Sequence, residues 1–213
     1  MRLSRLVLPL LLAIASPAVA DDTADFLKPD NWEGLKELWT IKDGTVVGFT
    51  GEDGIKSNTF LCSKQTYGDF ELSFQVRLKD GVGNSGIQIR SKVLNKEKFV
   101  VGGPQADMGQ QYWGSLYGEQ FGGMMKASEA AKVKKVVKTK EFNDYGIRCV
   151  GKKVTIKING ETMVDGDFPT LPEKTKGEPK KMLSEGVIAF QAHAGPGMEV
   201  TFKNIKFSKI ASK

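Results

Sequence analysis

The sequence predicts an all-β protein, a sandwich of two antiparallel sheets with one short helix. Three observations carry this. Apolar and polar residues alternate with period two through much of the chain after residue 38, turn signals break the alternation at short intervals, and helical spacing is confined mainly to residues 127–137. WTIKDGTVVGF (39–49) reads as strand, turn at Asp43-Gly44, strand, and NTFLCS (58–63) as another strand. In DFELSFQVRL (69–78), Phe70, Leu72, Phe74, Val76 and Leu78 face one way and Glu71, Ser73, Gln75 and Arg77 the other, which is a half-buried strand. SGIQIRS (85–91) alternates likewise. After the helix come DYGIRCV and KVTIKING, separated by the Gly151-Lys152 turn, then GVIAFQAHAG (186–195) and MEVTFKNIKFSKI (198–210). A shorter helical turn is expected near residues 32–38, and FPTLPEKTKGEPKKMLSEG (168–186) reads as an exposed loop before the last two strands.

The first twenty residues, MRLSRLVLPLLLAIASPAVA, have the charged start, apolar centre and small-residue end of a secretory signal peptide, too short to span a bilayer stably. The expectation is a signal peptide over 1–20 and a single domain over 21–213. The product would be soluble and periplasmic or secreted, with no membrane contact after cleavage. Loss of Arg2 and Arg5 lowers the formal charge from +6 to +4. Much of the lysine lies in KASEAAKVKKVVKTK (126–140), a solvated helix face; nucleic acid is not an expected partner, because that would call for arginine and aromatics interleaved on one surface. Cys62 and Cys149 both sit in β-like runs, open to one disulfide or to two buried free thiols. The sequence sets no oligomeric state.

The polar sides of the strands are unusual. Beside glycines and alanines they carry Gln88, Arg90, Gln191 and His193, small residues leaving room for a ligand and amides, an arginine and a histidine able to bind it. Parity places these four in one shared cleft, with Ile87, Ile89, Ile188 and Phe190 buried between the sheets. A second concentration is QADMGQQYWGSLYGE (105–119), with two carboxylates and three aromatics among amides and glycines.

The stretches LWTIKDGTVVG, YGDFELSFQVRL, GNSGIQIRS, QADMG, YWGSLYGE, FNDYGIRCVGKKVTIKINGE and GVIAFQAHAGPGMEVTFKNIKF, in this order across nearly the whole chain after the leader, resemble the 3-keto-disaccharide hydrolase family. One departure is Phe142-Asn143, where the family has a tryptophan-asparagine pair. The resemblance implies a concanavalin-like (jelly-roll) sandwich whose concave face holds a carbohydrate, and cleavage of disaccharides or other glycosides already oxidised at C3. The correspondence of Gln105, Asp107, Tyr117 and Glu119 to the family pattern is positional only.

No strand reads E-x-D-x-E, which disfavours a laminarinase-like pair of carboxylates. A 3-keto sugar allows elimination instead, since the ketone acidifies the C2 proton. Asp107 and Glu119 can act as base or acid, and His193, the one histidine, titrates nearest neutrality. These three are the candidate catalytic residues. Arg90 and Gln191 are expected to hold the enolate or hydroxyls, and Gln105 and Asp107 to come from a strand edge. Tyr112, Trp113, Tyr117 and Glu119 would lie on a loop closing over the sugar, with Gln88 and Glu71 also facing the cleft. The bland readings are a structural histidine, aromatics that merely pack, and a solvated Glu71. No cofactor is assigned with the family resemblance; a divalent metal ion in an oxygen-rich site using Asp107, Glu119 or Glu71 with His193 is the alternative. The rival function is a non-catalytic carbohydrate-binding module on the same fold.

Overall fold

A computed structural model describes residues 21–168 and 184–211; the leader and most of the proline-rich stretch lie outside the described residues. The elements begin with a single helical turn α1 (Thr23–Phe26), then β1 (Trp32–Glu33), β2 (Trp39–Lys42), β3 (Thr45–Phe49), β4 (Thr59–Ser63) and β5 (Phe70–Leu78). They continue with β6 (Ser85–Asn95), β7 (Val100–Met108), β8 (Leu116–Glu119), β9 (Gly123–Lys126) and α2 (Ala130–Val136). The last are β10 (Asn143–Val150), β11 (Lys153–Ile158), β12 (Glu161–Asp167), β13 (Val187–Ala192) and β14 (Glu199–Lys209). They form two antiparallel seven-stranded sheets, a front sheet ordered β1-β4-β13-β6-β7-β8-β9 and a back sheet ordered β12-β11-β10-β5-β14-β3-β2.

The alternation read from the sequence is what joins the sheets. Phe74, Val76, Ile147 and Phe202 from the back meet Ile87, Ile89, Ala106, Met108, Ile188 and Phe190 from the front in one core, all essentially inaccessible to water. Phe190 and Phe202 contact edge to face across the two layers at 4.8 Å. Burying a side chain of this size stabilises the fold by about 1.5–3 kcal/mol.

Of the helical turn expected near 32–38, the first two residues form instead the short strand β1, paired with β4 through Trp32 and Ser63, and a hydrogen-bonded turn follows, the Leu38 N–H donating to the Leu35 carbonyl at 3.0 Å. Tertiary packing overrides the local pattern: the Trp32 indole donates to the Phe26 carbonyl at 2.6 Å and meets the Phe26 ring edge-on at 4.9 Å. The main helix begins three residues later than expected. Ser128 is tied down first, its N–H to the Ser115 hydroxyl and its own hydroxyl to the Trp113 carbonyl, so the helix starts only beyond it. The segment expected to supply a strand edge and a closing loop, residues 105–119, holds the end of β7 and all of β8, and both strands are interior to the sheet. Of the two alternatives for the cysteines, the structure has two buried free thiols.

A one-residue bulge interrupts β6. Four steps along β6 from Gln88 to Lys92 match three along β7, from Gln105 to Gly102, and the pairing with β13 slips in the same place. Beyond the bulge, the tip of the β6–β7 hairpin returns over the outer face of the front sheet. There Val93 and Phe99 pack on Phe60, Cys62, Val101 and Ala189, and Thr59 donates to the Lys98 carbonyl at 2.8 Å. Part of the outer face is thus sealed by apolar contacts, and the remainder holds the cleft.

Candidate functional site

The cleft has a volume of about 430 Å³. Its floor is Gln105 and Asp107 from β7 and Gln191 from β13, and Glu119 and Tyr117 from β8 stand on one side. Asn58, Asn84 and His193, each just outside a strand, close other margins, while Met124 on β9 stands beside Tyr117 and Tyr112 comes from the turn after β7. Alternation explains the floor: Ala106 and Met108 take the core side of β7, which leaves Gln105 and Asp107 on the outer side.

A chain of side-chain hydrogen bonds runs along the floor in one direction. The Ser91 hydroxyl donates to Gln88 Oε1 at 2.6 Å, Gln88 Nε2 to Gln105 Oε1 at 2.7 Å, and Gln105 Nε2 to Asp107 Oδ1 at 2.6 Å. Gln105 Nε2 also reaches Gln191 Oε1 at 3.2 Å. Each amide oxygen is occupied from beneath, so each NH₂ group is turned onward. At the end of the chain Gln191 Nε2 is buried with no hydrogen-bond partner among the described residues.

Asp107 is almost wholly buried, and burial is the main reason its carboxyl is pushed up from 3.8 to about 7; the Gln105 hydrogen bond opposes the rise and the charge of Glu119 adds to it. Its backbone is held fast. The Tyr145 hydroxyl reaches through the core from the back sheet to the Asp107 carbonyl at 3.0 Å, and the Asp107 N–H donates to the Ser115 carbonyl at 2.9 Å. Burial, followed by the charges of Glu119 and Asp107, also raises the Tyr117 phenol above its ordinary value.

His193 Nδ1 lies 2.6 Å from the Ala194 carbonyl oxygen, which can only accept, so Nδ1 carries the hydrogen and the neutral ring keeps its lone pair on Nε2. Asn58 ties this corner to the second carboxylate: its Oδ1 accepts the Ala194 N–H at 2.8 Å and its Nδ2 donates to Glu119 Oε1 at 3.3 Å. Three strands separate β4 from β8 in the sheet order, so it is the loop before β4 that carries Asn58 across to Glu119.

Of the residues expected at the site, Asp107, Glu119, His193, Gln105, Tyr112, Tyr117 and Gln191 share this cleft. Four do not. Arg90 lies in the bulge with φ of 45°, which turns it toward the back sheet, where it donates to the Gly68 and Gly151 carbonyls and pairs with Asp69 at 2.6 Å. Gln88 is on the predicted face but fully buried, holding Gln105. Trp113 is 3% exposed and belongs to the inter-sheet core. Glu71 is on the solvent side of the back sheet, paired with Arg148 at 2.9 Å. The metal set that included Glu71 therefore does not assemble: among the described residues no three His, Cys, Asp or Glu come together closely enough to hold an ion. Asn58, Asn84 and Met124 join the site without any signal in the sequence. The two asparagines precede strands in loops and Met124 sits on an edge strand, where periodicity is uninformative.

Fold and site together define a concanavalin-like sandwich with a polar cleft on one sheet. The chain belongs to the 3-keto-alpha-glucoside-1,2-lyase-like domain family, which matches residues 22–208. No curated protein matches it in sequence. Among solved structures, it is similar to a Parabacteroides distasonis protein provisionally described as a glycosyl hydrolase, with 20% identity over 85% of this chain and 94% of that one and a TM-score of 0.56. It is also similar to the carbohydrate-binding module CBM66 from Bacillus subtilis, with 13% identity over 84% and 96% of the two chains and a TM-score of 0.58. A Bacillus subtilis protein of unknown function with a galectin-like fold matches at 10% identity over 86% and 91% of the chains, with a TM-score of 0.60.

Proposed function

We propose that this protein cleaves glycosides oxidised at C3, by elimination across C1–C2 followed by addition of water. The observation that carries the reading is the pairing, in one cleft, of a carboxyl that is half protonated near neutrality with an imidazole whose Nε2 lone pair is free. His193 Nε2 takes the C2 proton. The electron pair of that bond forms the C1=C2 double bond, and the C1–O bond breaks with its pair going to the departing oxygen. Asp107, protonated, delivers a proton to that oxygen, so an alcohol or sugar leaves and a 2-hydroxy enone remains. Water then adds its hydroxyl to C1 and a proton to C2, which completes a net hydrolysis. The unpartnered Gln191 Nε2 suits the C3 oxygen, where negative charge develops. Glu119 is left to accept hydrogen bonds from sugar hydroxyls.

Purified protein given 3-keto-trehalose or 3-keto-lactose should release the unoxidised sugar, with the enone detectable before hydration. Tight binding of these sugars without any release would favour the second reading, a carbohydrate-binding module. The amide-rich floor favours that alternative, because it could hold a sugar without any chemistry. We further propose export with cleavage between Ala20 and Asp21. The charged, apolar and small-residue order of residues 1–20 supports this, and just beyond it Asp22 is engaged in the fold, donating its N–H to the Phe207 carbonyl and accepting from the Lys209 N–H. The intact mass of the exported protein should correspond to a chain beginning at Asp21; a mass retaining Met1 would overturn the assignment.

A further inference from the structure

The cleft is chemically two-sided. Its amides, both carboxylates and the histidine gather around β7, β13 and Asn58, and Glu119 joins them by turning to Asn58. The opposite lip is Tyr112, Tyr117 and Met124. Tyr117 and Met124 are register partners on β8 and β9, so their side chains are cross-strand neighbours on one face. Tyr112 lies in the turn that leaves β7, a few residues beyond Asp107. Tyr112 is 37% and Met124 41% exposed, so two of the few large apolar side chains facing water among the described residues border the same cleft. Singly exposed apolar residues are ordinary, but a contiguous group beside a polar pocket marks a binding surface.

We propose that this lip is a leaving-group subsite that selects flat apolar aglycones, aryl or arylalkyl, over a second sugar. The proposal rests on the reading of the polar floor as the seat of the oxidised glycosyl ring. The cleft's volume of about 430 Å³ corresponds to about fourteen waters at ~30 Å³ each, and a hexosyl ring has only about a dozen heavy atoms, packed closer than waters. Room remains for a second ring. A second sugar would need partners for several hydroxyls, whereas the lip offers two phenol oxygens, two aromatic faces and a thioether. An aromatic ring gains from this surface by stacking and by sulfur contact. Met124, unbranched, can adapt to aglycones of different outline.

The test compares 2-phenylethyl and ethyl 3-keto-glucosides, whose departing alcohols differ little in acidity, so that chemistry does not masquerade as recognition. The wild type should favour the phenylethyl compound at least about tenfold in kcat/KM, the scale expected for burying one aromatic ring. In the Tyr112→Ser, Met124→Ser double variant that ratio should fall to within about twofold of unity; both positions are exposed, and a thermal melt checks that the fold is kept. Equal kcat/KM for the two compounds, or a 3-keto-disaccharide preferred to both, overturns the subsite. Calorimetric binding of the same pair separates this proposal from the assigned reaction. If neither compound is cleaved but the phenylethyl one binds tighter, and the double variant abolishes that preference, the reaction is wrong and the subsite stands. Equal affinity, or no binding of either, overturns the subsite.

Discussion

The Gln105 amide lies where a side chain on Gly86 would have to be: a Cβ built on Gly86 falls 2.6 Å from Gln105 Cγ and Cδ and 2.7 Å from Nε2. Gly86 is the register partner of Asp107, so its bare backbone opens the path by which the amide crosses to the carboxylate. The clash is with a side chain, not with backbone, but that side chain is buried and held at both ends of its amide by hydrogen bonds. Gly86→Ala should therefore displace Gln105 from Asp107 and lower stability, by about 1–3 kcal/mol for a buried polar group left unpartnered. The expected readout, taken below the lowered melting temperature, is a reduced kcat on a 3-keto-glycoside. Unchanged turnover would show that the amide chain does not matter to the reaction.

Asp107 couples the site to pH. Its folded-state pKa of about 7 lies above its ordinary 3.8, so the folded protein holds a proton between these values that the unfolded chain has lost. Stability from this group is complete below about pH 4, declines as pH rises toward 7, and is level beyond. A shift of about three units corresponds to at most about 4 kcal/mol. Asp107→Asn removes the buried charge while keeping an acceptor for Gln105. It should melt higher than the wild type at pH 8, by up to roughly 10 °C, and no higher at pH 4. The same variant should lose about 10²- to 10⁴-fold in rate, and wild-type activity should fall as pH rises through about 7, where the acid is lost. A variant that melts lower than wild type at pH 8 would contradict the assigned burial of charge.

Because His193 is the one histidine in the chain, its ring nitrogens can be read without ambiguity. Long-range proton–nitrogen spectra above the histidine titration should show the Nδ1–H tautomer, as the 2.6 Å contact with the Ala194 carbonyl requires. A dominant Nε2–H signal would remove the free base from the cleft. His193→Ala should abolish turnover and leave the fold intact.

Arg90 gives the opposite pattern. It is 3% exposed and closes a junction between the sheets through Asp69, Gly68 and Gly151. Arg90→Met takes the guanidinium from the partly exposed Asp69 carboxylate and from two carbonyls, a loss of about 1–3 kcal/mol, and should lower the melting temperature by about 5 °C. Below that temperature the folded variant should turn over substrate at the wild-type rate. Selective loss of kcat with an unchanged melt would return Arg90 to the site.

The sandwich was legible because its strands obey the simplest rule available, alternation. Phe70 to Leu78 alternate in sequence, and they alternate in burial. The same rule correctly put Gln191 on the cleft side and failed at Arg90, two residues beyond the equally regular Gln88. One inserted residue in β6 reverses the facing of the residues beyond it, and no composition signal marks it. Trp113 misled for a different reason. Its neighbours Tyr112 and Tyr117 do face the cleft, but the chain turns tightly at Gly114, with φ of 75°, and drops the indole into the core. Asp107 and Glu119 stood out in the sequence by their clustering with aromatics and amides in residues 105–119; the asparagine joining Glu119 to the histidine corner became visible only with the fold.

The two thiols occupy different compartments of the molecule. Cys149 lies between the sheets, whereas Cys62 is on the outer face of the front sheet beneath the β6–β7 hairpin. Burial pushes both up to about 12, with a further contribution from Glu33 at Cys62 and from Asp69 at Cys149, where Arg90 acts the other way. A thiol reagent meets neither thiolate while the fold is closed. Each cysteine is therefore a built-in clock: labelling at Cys62 times the lifting of the hairpin from the sheet, labelling at Cys149 times the parting of the two layers, and the difference between the rates measures how independently the roof moves from the walls.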